Sequence, residues 1–135
     1  MAKVLWAFAA DQFIVDRSGK FSIIGIWEAV FAPNFPAIHP QVFIVAGWSG
    51  QASAQMTYEV RIWAPGNTLL ITSAPTPFQL GPNGKGISVH QFAPVQLAQP
   101  GTYKIEILMN GVLAHTMELT AAVPPIPQGG QLGRA

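Results

Sequence analysis

Two runs of alternating apolar and polar residues, 102–109 and 112–121, meet at Asn110-Gly111. That dipeptide supplies both positive-φ residues of a type I′ turn, so the pattern predicts an antiparallel hairpin. Similar runs recur at short intervals. Residues 4–15 make the first predicted strand, closed by the polar loop Asp16-Arg17-Ser18-Gly19-Lys20, whose glycine tolerates positive φ. Residues 21–31 make the second. Its stretch Ile23-Ile24-Gly25-Ile26-Trp27 is apolar on both faces, the pattern of a central strand covered on each side. Gly25 within it marks a bulge or a close backbone approach. Pro33, Pro36 and Pro40 then forbid a central strand and predict an extended loop crossing between two sheets.

Further strands are predicted over residues 41–48, 55–63, 69–73 and 87–92, with 78–80 an optional continuation of the pattern after 69–73. In the run 55–63, Tyr58, Val60 and Ile62 alternate with Glu59, Arg61 and Trp63, which assigns the two sets to opposite faces. Pro65-Gly66 fits a type II turn, and Gly81 to Gly86 punctuates the chain before residue 87. No stretch shows a sustained helical period. Seven to eight short strands of this kind predict an all-β antiparallel β-sandwich, immunoglobulin-like, with a barrel as the lesser option. Residues 1–123 form that domain, and 124–135 a Pro- and Gly-rich tail that has no core of its own.

Composition adds a surface argument. Charged residues make up 10% of the 135 residues and hydrophobic ones 50%, where about 25% charged is ordinary for a globular domain. A chain so poor in charge is expected to hide part of its surface against its own copies or another protein. A net charge of +1 without a basic stripe argues against nucleic acid and against polybasic membrane attachment. Lys3 and the apolar run after it are too short for a secretory signal, and no run reaches bilayer length, so a cytoplasmic protein is expected. The absence of cysteine removes thiolate catalysis and thiolate metal sites.

Candidate chemistry is sparse. Gly81-Pro82-Asn83-Gly84-Lys85-Gly86 looks like a phosphate loop but lacks the Gly-x-x-x-x-Gly-Lys-Ser/Thr spacing, so a plain turn is expected. His39, His90 and His115 lie on separate elements without a second ligand at metal spacing. Ser88 and His90 share a strand face, yet no carboxylate accompanies them in sequence. No catalytic, cofactor or metal residue is assigned, and the chain is read as non-enzymatic.

The tryptophans are better candidates. Trp6 and Trp27 lie in apolar runs and are expected in the core, whereas Trp63, in register with Glu59 and Arg61, and Trp48 have open alternatives of exposure or burial. An exposed indole anchors a protein interface or stacks on a sugar. The interaction candidates are therefore Phe35 in the proline-rich loop, Trp48, Trp63, and the tail residues Pro124, Pro125, Ile126, Pro127 and Leu132. The expected partner is a second copy of the chain or another protein; a small-ligand or carbohydrate module is the alternative, and a hydrolase the least favoured.

Trp6-Ala7, the run Gly19 to Trp27, Phe35-Pro36, Pro40, Pro100-Gly101-Thr102-Tyr103 and Asn110-Gly111 together carry a family resemblance. They resemble an uncharacterised bacterial family, a domain of unknown function made of small single-domain β-sandwich proteins. The resemblance reaches to about Ala122 and leaves the tail outside. It implies the sandwich and carries no catalytic residue.

Overall fold

The computed structural model describes residues 2–124. Twelve strands form three sheets. The smaller of the two main sheets has the order β2-β1-β5-β9, from β1 (Lys3–Val15), β2 (Phe21–Ile26), β5 (Val42–Ser49) and β9 (Lys85–Phe92). The larger runs β3-β12-β11-β6-β7, with β8 also paired to β6. Its members are β3 (Ala29–Phe31), β12 (Val112–Ala122), β11 (Gly101–Met109), β6 (Gln55–Ala64), β7 (Thr68–Thr72) and β8 (Thr76–Gln79). A small ribbon pairs β4 (Ala37–His39) with β10 (Val95–Leu97).

The alternation that predicted the strands builds the core. Val42, Ile44, Ala46 and Trp48 of β5 pack with Met56, Tyr58, Val60 and Ile62 of β6 and with Tyr103, Ile105 and Ile107 of β11 in one buried cluster. Burial of this apolar surface is the main force joining the sheets. Asn110 and Gly111 have φ of 50° and 80°, as a type I′ hairpin requires. The tip is also tied sideways: Asn110 N–H donates to the Thr57 carbonyl, and Asn110 Oδ1 accepts from Thr57 N–H, each at 2.9 Å. At the other end of β11, the buried Tyr103 hydroxyl donates to the Gln99 carbonyl at 2.6 Å. This is the tyrosine corner of immunoglobulin-like sandwiches.

Several sequence expectations are corrected. Twelve strands replace seven to eight because β3, β4, β8 and β10 have only three or four residues each, too short to display a period. The run expected as strand 78–80 is instead Thr76–Gln79. Residues 21–31 are not one central strand: β2 is an edge of the smaller sheet, and β3 crosses to pair with β12 in parallel. Trp27, between them, drops into the core as expected. Its Nε1–H donates to Asp11 Oδ1 at 2.7 Å. The proline-rich segment does cross between the main sheets, with β4 formed on the way.

Gly25 has a φ of +73°, and a Cβ there would lie 2.9 Å from Asp11 Cγ. The close approach expected at this glycine is thus to the Asp11 side chain.

Candidate functional site

The outer faces of the two main sheets differ in kind. On the larger sheet the ladder β12–β11–β6 aligns Glu118, Lys104 and Trp63 in one row and Thr116, Glu106 and Arg61 in the next. Trp63 sits on this charged face, opposite Tyr58, Val60 and Ile62, as the alternation predicted. It is half-buried: its Nε1–H donates to Glu106 Oε1 at 2.7 Å, and Lys104 Nζ lies 5.8 Å from the ring centroid. The indole donor and the ring face are thereby partly engaged within the chain.

The smaller sheet shows the reverse. Register places Trp6, Gly47 and Ile87 in one outward row, and Phe8, Val45 and Val89 in the next. No charged side chain interrupts these rows. Val45 is fully covered at 0% exposure although it points away from the intersheet core cluster. Trp6, expected in the core, belongs to this outer surface because the register shift between Val4 and Trp6 turns it outward. The bare backbone of Gly47 lies under its indole, where a Cβ would come 2.6 Å from Cζ2.

A second layer covers part of this face. Phe21 pairs with Val15 at the far end of β1, which in a straight strand would lie about 30 Å from Trp6. Yet the Phe21 and Trp6 rings stack at 6.0 Å, and Phe13 stacks on Phe21 at 5.6 Å. β1 therefore bends, and its far half forms with β2 an arm that returns over the sheet. The Asp16 carboxylate fixes the arm's tip by accepting from Ser18 Oγ, Ser18 N–H and Lys20 N–H at 2.7, 2.8 and 3.0 Å. These bonds, the Ser18 hydroxyl first, hold its pKa below the ordinary carboxylate value. Shallow depressions of about 360 and 440 Å³ flank Phe21, lined by Trp6, Phe8, Ile23, Leu5 and Ile87 among others.

The arm is not itself covered. Leu5, Phe8, Ile14, Val15, Phe21, Ile24 and Ile26 are all exposed, more than half of the exposed large apolar side chains of the described residues.

The other sequence candidates are placed as follows. Trp48 is buried at 1% exposure, and its Nε1–H donates to Ser88 Oγ at 2.8 Å; it is a core residue, unavailable for stacking on a ligand. Phe35 is half-buried against the core. Pro124 is exposed at the end of the described chain, and Pro125, Ile126, Pro127 and Leu132 lie outside the described residues. The Gly81–Gly86 segment is a corner, with Gly81 N–H donating to Lys85 O, Gly84 N–H to Gly81 O and Lys85 N–H to Asn83 Oδ1. The amides of Gly81, Gly84 and Lys85 are thus spent within the chain.

A cleft of about 590 Å³ between β6, β8 and the Asn110 tip is lined by Gln55, Met56, Thr57, Pro77, Phe78, Gln79 and Asn110, none of them ionisable in the ordinary pH range. His90 faces inward beside Phe92 and Tyr58, with ring centroids at 4.5 and 6.5 Å, and burial lowers its pKa. No group of three His, Cys, Asp or Glu side chains among the described residues is placed to hold a metal ion. No helix among the described residues is long and apolar enough to cross a membrane.

Sequence reasoning missed the outer-face site because it sorted Trp6 with the core and β2 with the sheet centre. The available signal was Ile23 to Trp27 itself, apolar on both faces yet next to a charged turn.

These features define a small all-β sandwich with one charged and one apolar outer face. The chain belongs to a family of unknown function, DUF6941, whose model matches residues 5–122. No curated protein matches it in sequence. Among solved structures it is similar to the Pseudomonas fluorescens alkylpurine DNA glycosylase AlkC bound to DNA containing an abasic site analog, at 10% identity and a TM-score of 0.59. That match covers 90% of this chain and 30% of the glycosylase. A β-glucosidase from Listeria innocua in complex with glucose matches at 6% identity and a TM-score of 0.50, over 90% of this chain and 16% of its own. The chain thus spans less than a third of either enzyme, and the likeness is one of fold.

Proposed function

We propose that this chain is a non-enzymatic, cytoplasmic protein-interaction module that docks through the outer face of its smaller sheet and the β1–β2 arm. The observation that carries the reading is the apolar outer face of the smaller sheet and its arm, where Phe8, Phe21, Ile24 and Ile26 are all exposed, against the charge-bearing outer face of the larger sheet. Covering such surface releases ordered water and contributes about 25 cal/mol per Å². The non-enzymatic reading is supported by the state of the groups a hydrolase would use: Ser88 is buried and accepts from Trp48, and the cleft between β6, β8 and the Asn110 tip offers no acid or base.

Oxidative footprinting tests the docking surface. Trp6, Phe8 and Phe21 are expected to become protected as concentration rises or as a partner is added, while Val112 and Leu113 at the hairpin tip stay reactive. Unchanged labelling of all three aromatics under every condition overturns the reading.

A further inference from the structure

We infer that the trough between the arm and the smaller sheet is a binding site for a small amphipathic anion, a medium-chain fatty carboxylate. This goes beyond the docking reading, because the ligand is held by one chain alone. Ile14 and Ile24, on the face of the arm opposite Phe13 and Ile23, stay free for a protein partner. The head of the site is a row of polar residues. Register sets Lys3, Ser49 and Lys85 side by side on the outer face, in the row next to Trp6, Gly47 and Ile87. The two exposed lysines flank the Ser49 hydroxyl two strand spacings apart, about 10 Å, so both long side chains reach an anion placed above it. Lys85 also lines the depression of about 360 Å³ together with Leu5, Trp6, Phe21 and Ile87. The stacking of Phe21 on Trp6 brings the arm's tip, with Arg17 and Lys20, to the same end of the sheet. Four of the chain's seven Lys and Arg residues are thereby drawn to one apolar pocket. The carboxylate in their midst, Asp16, is engaged by Ser18 and by the Lys20 amide. Among the described residues the only ion pair is Lys104 with Glu106, on the other sheet. Cations concentrated at the rim of a low-dielectric pocket attract and orient an anion.

The tail of the site is apolar throughout. The depressions on the two sides of Phe21 share Trp6 and Phe21, so their walls continue from Lys85 past the indole to Phe8 and Ile23. No charged side chain lines the second of them. From the row of Lys85 to the row of Val89 the sheet advances about 13 Å, the length of an extended decanoate chain. One end of the trough is cationic and the other is purely apolar, and a fatty carboxylate satisfies both at once. A hydrophilic anion leaves the aromatic walls wet, and a cationic amphiphile meets the lysines.

The test titrates decanoate into the full chain. It should bind saturably by calorimetry, shift Trp6 emission to the blue and raise the urea midpoint, since a ligand of the folded state alone stabilises that state. Trp6→Phe should remove the spectral shift. The double variant Lys3→Gln, Lys85→Gln should weaken binding about tenfold while its ligand-free urea midpoint stays that of wild type, because both side chains are exposed. Leu5→Glu, which sets an acid in the pocket wall, should weaken it as well. Octanoate should bind about tenfold less tightly than decanoate, each lost methylene costing about three- to fourfold. Decyltrimethylammonium, with the same chain and the opposite charge, should bind more weakly still. Absence of saturable decanoate binding at millimolar concentration overturns the inference, as does equal binding of the cationic amphiphile or indifference to the lysine double variant. Attachment to phosphatidylglycerol vesicles without binding of free decanoate also overturns it. None of these outcomes decides the docking surface, which is judged by protection of the aromatics when protein is added.

Discussion

At the scale of single residues, buried polar groups with one partner each give the sharpest expectations. Trp48 Nε1–H has Ser88 Oγ as its buried acceptor, and removing an acceptor costs the desolvation of the donor left behind. Ser88→Ala should therefore lower unfolding free energy by about 1–3 kcal/mol in urea titrations, with the m-value unchanged. His90 gives a pH dependence. Burial penalises its charged form, so its folded pKa lies below the unfolded value of 6.5. The unfolded chain then binds the proton more readily, and its contribution to stability is full above that value and is lost as pH falls through the window below it. Wild type should lose stability on acidification below about pH 6.5 relative to His90→Gln, with the two curves parallel at higher pH. Parallel curves throughout would count against a half-buried neutral imidazole.

Among elements, what was legible in the sequence depended on whether one strand's own pattern held the answer. The β11–β12 hairpin and the two faces of β6 were legible, because the turn dipeptide and the alternation are local. β2 was not. A strand reads as apolar on both faces when a sheet covers both, but also when one face stacks on neighbouring aromatics and the other lies exposed; the sequence of Phe21–Ile26 is the same in either case. Trp6 was misplaced for a related reason: the shift at Leu5 inverts its face, and nothing in a run of small and aromatic residues announces it. β4 and β10 pair across more than fifty intervening residues and leave no local trace. The position of Trp6 is itself testable. Gly47→Ala should push the indole off the sheet and red-shift its fluorescence, since the new Cβ meets the ring. Introduced into a Trp6→Phe background, the same substitution should leave emission where Trp6→Phe alone puts it.

For the whole molecule, the distribution of charge matters more than its amount. The formal net charge is +1, so long-range repulsion between copies is weak. What keeps the larger sheet wet is the cross-strand set Glu59, Arg61, Lys104, Glu106 and Glu118, with Lys104 and Glu106 ion-paired at 3.7 Å. The smaller sheet has no equivalent, and it is shielded in part by the arm folding back over it. Adding charge to the uncovered side should thus raise solubility without touching the core. Ile14 and Ile26 are exposed on that arm, and surface substitutions of this type usually change stability by no more than about 0.5 kcal/mol each. The double variant Ile14→Lys, Ile26→Lys should precipitate at higher ammonium sulfate than wild type while its urea midpoint stays within the range that estimate allows. Precipitation unchanged alongside a large loss of stability would mean instead that these isoleucines pack within the fold, and that the arm is closed rather than open to a partner.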